Sequence, residues 1–321
     1  MSAAADLRDP NEHTSELVEL WRNGAELPAS RASASDIERI GVRGLEQVID
    51  QTPGPNQLRL TGDDPRLAAE IALASGFRSL HGSGVAAATA IHQGPGAEAT
   101  VNDWHYVDQL VGWYESRGAP VQRSYPAVLQ GVVYPSAVMC ACLVLDALVG
   151  ADAGVRTFVL ELHENRHLQQ DVAALRLLPG LARSYLQRRG HEGVSVAATL
   201  KVWSGQWPEL EPDTFGLLGF AVLTASLGGA GAVVLHPEGG DAIEDATKRV
   251  RFARSTLVVS GSQRYPDSES ISALEASIER EAEAMIDAAL AQDTVNLRTA
   301  VALAQELGIV ELPFSPTEGS R

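Results

Sequence analysis

The sequence predicts an α/β fold: a TIM-barrel-like parallel (β/α) barrel, incomplete at about six strand–helix units, with helical additions at both ends. Three observations lead there. Short β-prone apolar runs recur six times after Pro55, and a helical pattern follows each. No hairpin signal separates neighbouring runs, so consecutive strands need crossover helices and lie parallel. The 321 residues leave room for a barrel, which takes about 250. An open doubly wound sheet is the other architecture that fits.

In chain order, residues 12–22 read as a short helix with Leu17, Leu20 and Trp21 at near-helical spacing. Pro28, Ala29 and Ser30 mark a linker, and residues 33–50 form a second helix on Ile37, Ile40, Leu45 and Val48. Thr52-Pro53-Gly54-Pro55 stops it. Strands are expected at 57–60, 77–81, 121–128, 157–162, 194–202 and 233–236. Helices are expected at 64–75, 104–114, 136–149, 169–188, 213–227 and 241–254, with an alanine-rich helical tail at 269–291 and 294–307. The chain divides into a helical leader (1–55), a barrel-like domain (56–260) and a C-terminal helical segment packed on the barrel (261–321). Two strands short of eight, the sheet has edges that the leader or a partner must cover.

The formal charge of −16 argues against a grip on nucleic-acid phosphates or anionic lipid. Residues 1–16 are polar and acidic and lack the apolar centre of a signal peptide. The apolar stretches at 137–149 and 217–234 are broken by Cys, Asp, Gly and Thr, and Gly228–Gly231 reads as a helix end and turn. A cytoplasmic protein with no membrane partner is expected. Cys140 and Cys142 stand two apart in an apolar run, which suits buried core thiols better than a disulfide.

In either architecture ligands gather at the C-terminal ends of the strands. Those ends offer Arg59, His81, Arg123, Glu161, His163, Lys201 and His236, which are titratable groups and carboxylate-binding guanidiniums. His163-Glu164-Asn165-Arg166-His167 spells H-E-x-x-H, but it follows a strand directly, whereas a zinc protease needs both histidines on one helix face. No metal is therefore expected there; a divergent barrel metal site from His81, His163, His167 and His236 is the lesser alternative. Asp103-Trp104-His105 begins D-x-H-x-x-G, yet Asp108 stands where the glycine belongs. His81-Gly82-Ser83-Gly84 is a partial dinucleotide fingerprint without its downstream acid, and Gly82-Ser83-Gly84 reads as an ordinary turn.

Several stretches together resemble one family. Residues 64–70 (DPRLAAE), 103–114 (DWHYVDQLVGWY), 170–176 (QDVAALR), 203–208 (WSGQWP) and 311–316 (ELPFSP) are similar, in order and spacing, to the epsilon subunit of glutamate mutase, also called methylaspartate mutase. The resemblance runs from about Gly41 to Pro316. It implies a (β/α)8 barrel that holds adenosylcobalamin against a smaller sigma subunit carrying D-x-H-x-x-G. It also implies radical isomerisation of an amino acid, glutamate to 3-methylaspartate.

Carried over position by position, the resemblance makes Arg59 a substrate-binding arginine and places His81 where the family has its catalytic glutamate. The family's other two arginines lie on barrel strands that precede the matching stretch. Its two substrate tyrosines fall at Ala87 and Ile91. The lysine and glutamate that hold the adenosyl ribose fall at His236 and Gly240. A cofactor-packing aromatic is kept as Trp207. So many replacements leave three functions open: a mutase-family isomerase component, a non-catalytic scaffold or regulatory homologue, and a repurposed barrel enzyme with a His-lined site.

Overall fold

The computed structural model describes residues 17–22, 26–51, 56–61, 64–90, 96–127, 134–203, 208, 210–235, 242–261 and 268–310. Among them, eight strands close into one barrel in chain order. They are β1 (Leu17–Trp21), β2 (Glu26–Ser33), β3 (Gln57–Thr61), β4 (Ser79–His81), β5 (Gln122–Pro126), β6 (Thr157–His163), β7 (Ser195–Lys201) and β8 (Ala232–Leu235). Helix α1 (Ala34–Gln51) follows β2, and α2 (Arg66–Ala74) follows β3. Both α3 (Gly84–Ala90) and α4 (Ala97–Glu115) lie between β4 and β5. Then α5 (Ser136–Asp152), α6 (Leu168–Arg188), α7 (Glu211–Gly228) and α8 (Ala242–Gly261) each follow one strand. The tail forms α9 (Glu269–Leu290) and α10 (Leu297–Glu306).

The six expected strand–helix units are all present, and β3 to β8 are parallel throughout. The (β/α) repeat is incomplete, as expected, but the leader is not simply helical. Residues 17–21 are a strand and not a helix, and the stretch around Pro28 is a strand and not a linker. β2 pairs parallel with β3, while β1 runs antiparallel to both β2 and β8. The open edges are therefore capped by backbone hydrogen bonds from the leader itself. Pro28 stands opposite Val18 in the β1–β2 ladder and precedes the β2–β3 register, which begins at Ala29.

Around the ring the helices cover the outer face. α5 is buried on nearly every side because α6 and α9 cover it, which explains its almost uninterrupted apolar sequence. Cys140 and Cys142 are free buried thiols there, and burial pushes the Cys140 thiol up to about 12. α7 ends at Gly228 with Gly229 in the left-handed region, φ 77°, as the glycine run suggested. Among the described residues no helix is long and apolar enough to cross a membrane.

Candidate functional site at the barrel mouth

Strand alternation assigns each residue to the lumen or to the helix side. Leu58 and Leu60 face the helices, so Gln57 and Arg59 face inward; Arg59 stands in register with His81. In β5, Arg123 and Tyr125 meet Asp108 on α4, which puts Gln122 and Ser124 inside. In β6 and β7, Glu161 stands beside Thr199 and His163 beside Lys201. The lumen floor is polar too: Gln57 Nε2 and Gln122 Nε2 each donate to Ser79 Oγ at 3.1 Å.

At the C-terminal end of the lumen one ionic cluster dominates. β3 and β6 are three strands apart on the ring, and Arg59 reaches across to Glu161. Its Nη2 donates to Oε2 at 2.7 Å and its Nη1 to Oε1 at 3.3 Å. Burial alone would raise the Glu161 carboxyl, but the Arg59 cation holds it well below the usual carboxylate range. Burial and the Arg59 charge push His81 down to about 3; burial and the Lys201 charge push His163 to about 4. Both imidazoles are neutral at pH 7. Arg59 Nη1 is 2.9 Å from His81 Nε2, so that nitrogen accepts and the ring proton sits on Nδ1.

Three buried atoms around this cluster have no hydrogen-bond partner among the described residues. They are Ser124 Oγ, Thr199 Oγ1 and His163 Nε2, the last standing 3.7 Å from Glu161 Oε1. Buried polar atoms in native proteins are nearly always paired, so such a group marks where a polar ligand or water sits.

The loops that frame the mouth are built by other residues. Arg123, fully buried, donates Nε to Asp108 Oδ1 at 2.6 Å, Nη1 to Leu80 O at 3.0 Å and Nη2 to Gly82 O at 3.1 Å. It grips the backbone on both sides of His81. Gly82 has φ 147°, and a Cβ there would lie 1.9 Å from the Trp104 ring, so the turn needs glycine. Ser83 is more than part of a turn: its Oγ accepts from Ala86 N at 2.8 Å at the start of α3 and donates to Asp146. Burial raises Asp146 to about 7.

After β6, Asp171 accepts from the N–H groups of Asn165 at 3.1 Å and His167 at 3.2 Å, and burial raises it to about 6. Asn165 in turn bonds both backbone groups of Tyr134. Glu164, pushed up to about 7 by burial, accepts from Trp203 N at 2.9 Å. Arg166 has φ 59°, the positive-φ non-glycine among the described residues, and its guanidinium lies 4.7 Å from the Trp203 ring.

Of the sequence-nominated residues, the structure thus brings together Arg59, His81, Glu161, His163 and Lys201. Arg123 is corrected: it faces the helices, not the lumen. The separation of the H-E-x-x-H histidines is as expected, with His163 ending β6 and His167 capping α6 by accepting from Gln170 N. Trp207, His236, Gly240 and Ile91 lie outside the described residues. Among those described, no three His, Cys, Asp or Glu side chains could hold a metal ion together. The sequence reading missed Ser124 and Thr199.

Comparison with known proteins bears on the same elements. The model of the methylaspartate mutase E chain family matches residues 37–321. The chain is 29% identical over 281 residues to the glutamate mutase epsilon subunit of Desulfitobacterium hafniense, covering 86% of this chain and 58% of that protein. It is 27% identical over 295 residues to that of Yersinia enterocolitica, covering 91% and 61%, and 29% identical over 286 residues to that of Halobacterium salinarum, covering 87% and 59%. The chain spans about three-fifths of the length of these relatives. The match takes in α1 from its fourth residue and every element after it: the chain belongs to the methylaspartate mutase E chain family.

Proposed function

We propose that this chain is the barrel component of a carbon-skeleton mutase of the methylaspartate (glutamate) type. It would bind an amino-acid substrate at the C-terminal mouth and work with a small cobalamin-binding, sigma-like subunit. One observation carries the ligand site: Ser124 Oγ, Thr199 Oγ1 and His163 Nε2 are buried without partners beside the Arg59–Glu161–His81 cluster. Family membership and that polar vacancy in the hydrogen bonding support the same place on the barrel.

The described residues fit part of what adenosylcobalamin would need. The unpaired atoms are two hydroxyls and a neutral imidazole, which suit ribose hydroxyls or an amide; Trp207 and His236, tied to the cofactor by resemblance, are not described. When bound, adenosylcobalamin supplies the carbon radical. The chain's own residues have other tasks. Arg59 locks the Glu161 carboxylate and fixes the tautomer of His81, which presents Nδ1–H. With a pKa near 3, His81 is a weak base and acts as a hydrogen-bond donor at neutral pH. Arg123 and Trp104 hold the β4 turn, and the surrounding helices exclude water.

A second reading, a non-catalytic scaffold or regulatory partner of a complete mutase, is favoured by the Arg59 fork being filled from within the chain. One experiment separates the two. The purified chain is mixed with a sigma-like subunit and adenosylcobalamin, desalted and read by its visible absorbance. Retention with light- or substrate-dependent spectral change supports a working component. Complex formation without cofactor retention supports the scaffold, and neither outcome together with no complex overturns both.

A further inference from the structure

The fork of Arg59 is occupied from the opposite wall of the barrel. Arg59 and Glu161 meet bidentately at 2.7 and 3.3 Å, with side chains 3% and 0% exposed, across three strands of the ring. We propose that Glu161 is a specificity-determining residue, a built-in occupant of the anion position on Arg59. The lumen then selects a ligand whose inner end is neutral and polar, and turns away a second carboxylate.

Two features carry this. Any ligand carboxylate approaching Arg59 must displace a covalently tethered one and meets the charge of Glu161, and like charges at close range in a dry site repel strongly. Beside the pair, and next to the Lys201 cation, Ser124 Oγ, Thr199 Oγ1 and His163 Nε2 are uncharged hydrogen-bonding groups that match a hydroxyl or an amide. The inference rests on the proposed reading only in placing an amino acid in the lumen, and it makes that amino acid one with a neutral side-chain end in place of glutamate.

The test uses the full chain alone, so its failure is separate from a failure of cofactor retention. L-glutamate and L-glutamine are titrated calorimetrically into the wild type, Glu161→Gln and the charge-neutral double variant Arg59→Gln/Glu161→Gln. Glu161→Gln is expected to bind glutamate about 10-fold or more tightly than the wild type does, and the double variant to lose that gain. In parallel, acetate but not acetamide at matched ionic strength should raise the melting temperature of Glu161→Ala, with no such difference in the wild type. A wild type that prefers glutamate to glutamine, or a Glu161→Gln variant with no gain, overturns the proposal. Where Glu161→Ala fails to fold, the isosteric Gln variants and the wild-type preference decide alone.

Discussion

Two buried arginine–carboxylate pairs lie within one strand of each other on opposite faces of the same wall. Behind the sheet, Arg123 meets Asp108 and spends the rest of its fork on the carbonyls of Leu80 and Gly82, while Tyr125 Oη donates to the same carboxylate at 3.0 Å. Inside the lumen, Arg59 meets Glu161 with neutral imidazoles and unpaired hydroxyls around it. The outer pair is closed: backbone and aromatic groups fill the space around it, and its function is to hold the turn that aims His81. The inner pair is ringed by unfilled hydrogen-bonding capacity. The same chemistry is enclosed in one place and stands beside open hydrogen-bonding capacity in the other.

The largest effect should come from breaking the outer pair. Asp108→Ala leaves the Arg123 cation buried without its carboxylate and should cost about 3–5 kcal/mol in urea unfolding. Replacing both partners with apolar residues of similar size should recover much of that loss. A Gly82→Ala variant should lose about 1–3 kcal/mol, since the new methyl meets Trp104 at a positive φ; thermal unfolding reads it.

The inner cluster should show itself through pH. Unfolded histidines titrate near 6.5, whereas folded His81 and His163 wait until about 3 and 4. As pH falls below about 6.5 the unfolded chain takes up protons that the folded chain refuses, so stability drops. Replacing His163 by Gln should shallow that acid limb by up to about 1.4 kcal/mol per pH unit. Asp146, Glu164 and Asp171 act in the opposite sense. Their folded values of about 7, 7 and 6 lie above the unfolded ones, so stability they lend at low pH is lost as pH rises toward neutrality. A Glu164→Gln variant should flatten that limb. The smallest effect is expected from Ser124→Ala, neutral or stabilising by up to about 1 kcal/mol because an unpaired buried hydroxyl is removed.

The strands of the regular repeat were legible because each is a short β-prone run closed by a turn. β1 and β2 were not. Leu17, Leu20 and Trp21 have near-helical spacing, and β2 carries Pro28 and Ser30 in place of an apolar run. Both are held by ladders to neighbours distant in sequence, which a local pattern does not record. The site was half legible. Naming strand-end residues found Arg59, His81, Glu161, His163 and Lys201, but it treated Arg123 as their equal. A period of two would have separated it, because Val121 and Tyr125, both buried and apolar, share its face. Ser124 and Thr199 carry no sequence signal: a strand serine or threonine is ordinary until its partners are counted.

The antiparallel β1 gives the barrel a seam. Arg22, just past that strand, donates to Ala225 O and Ser226 O, 203 and 204 positions away, so the seam joins the two ends of the ring. Such a closure is slow to form, since a loop of that length must be ordered first and the remaining strands must already stand in place. Until it forms, β2 and β8 present bare edges able to recruit another chain. Aggregation during refolding should therefore track the seam: dilution would suppress it, and substitutions that weaken the β1–β8 ladder would worsen it before they changed the equilibrium stability of the rest.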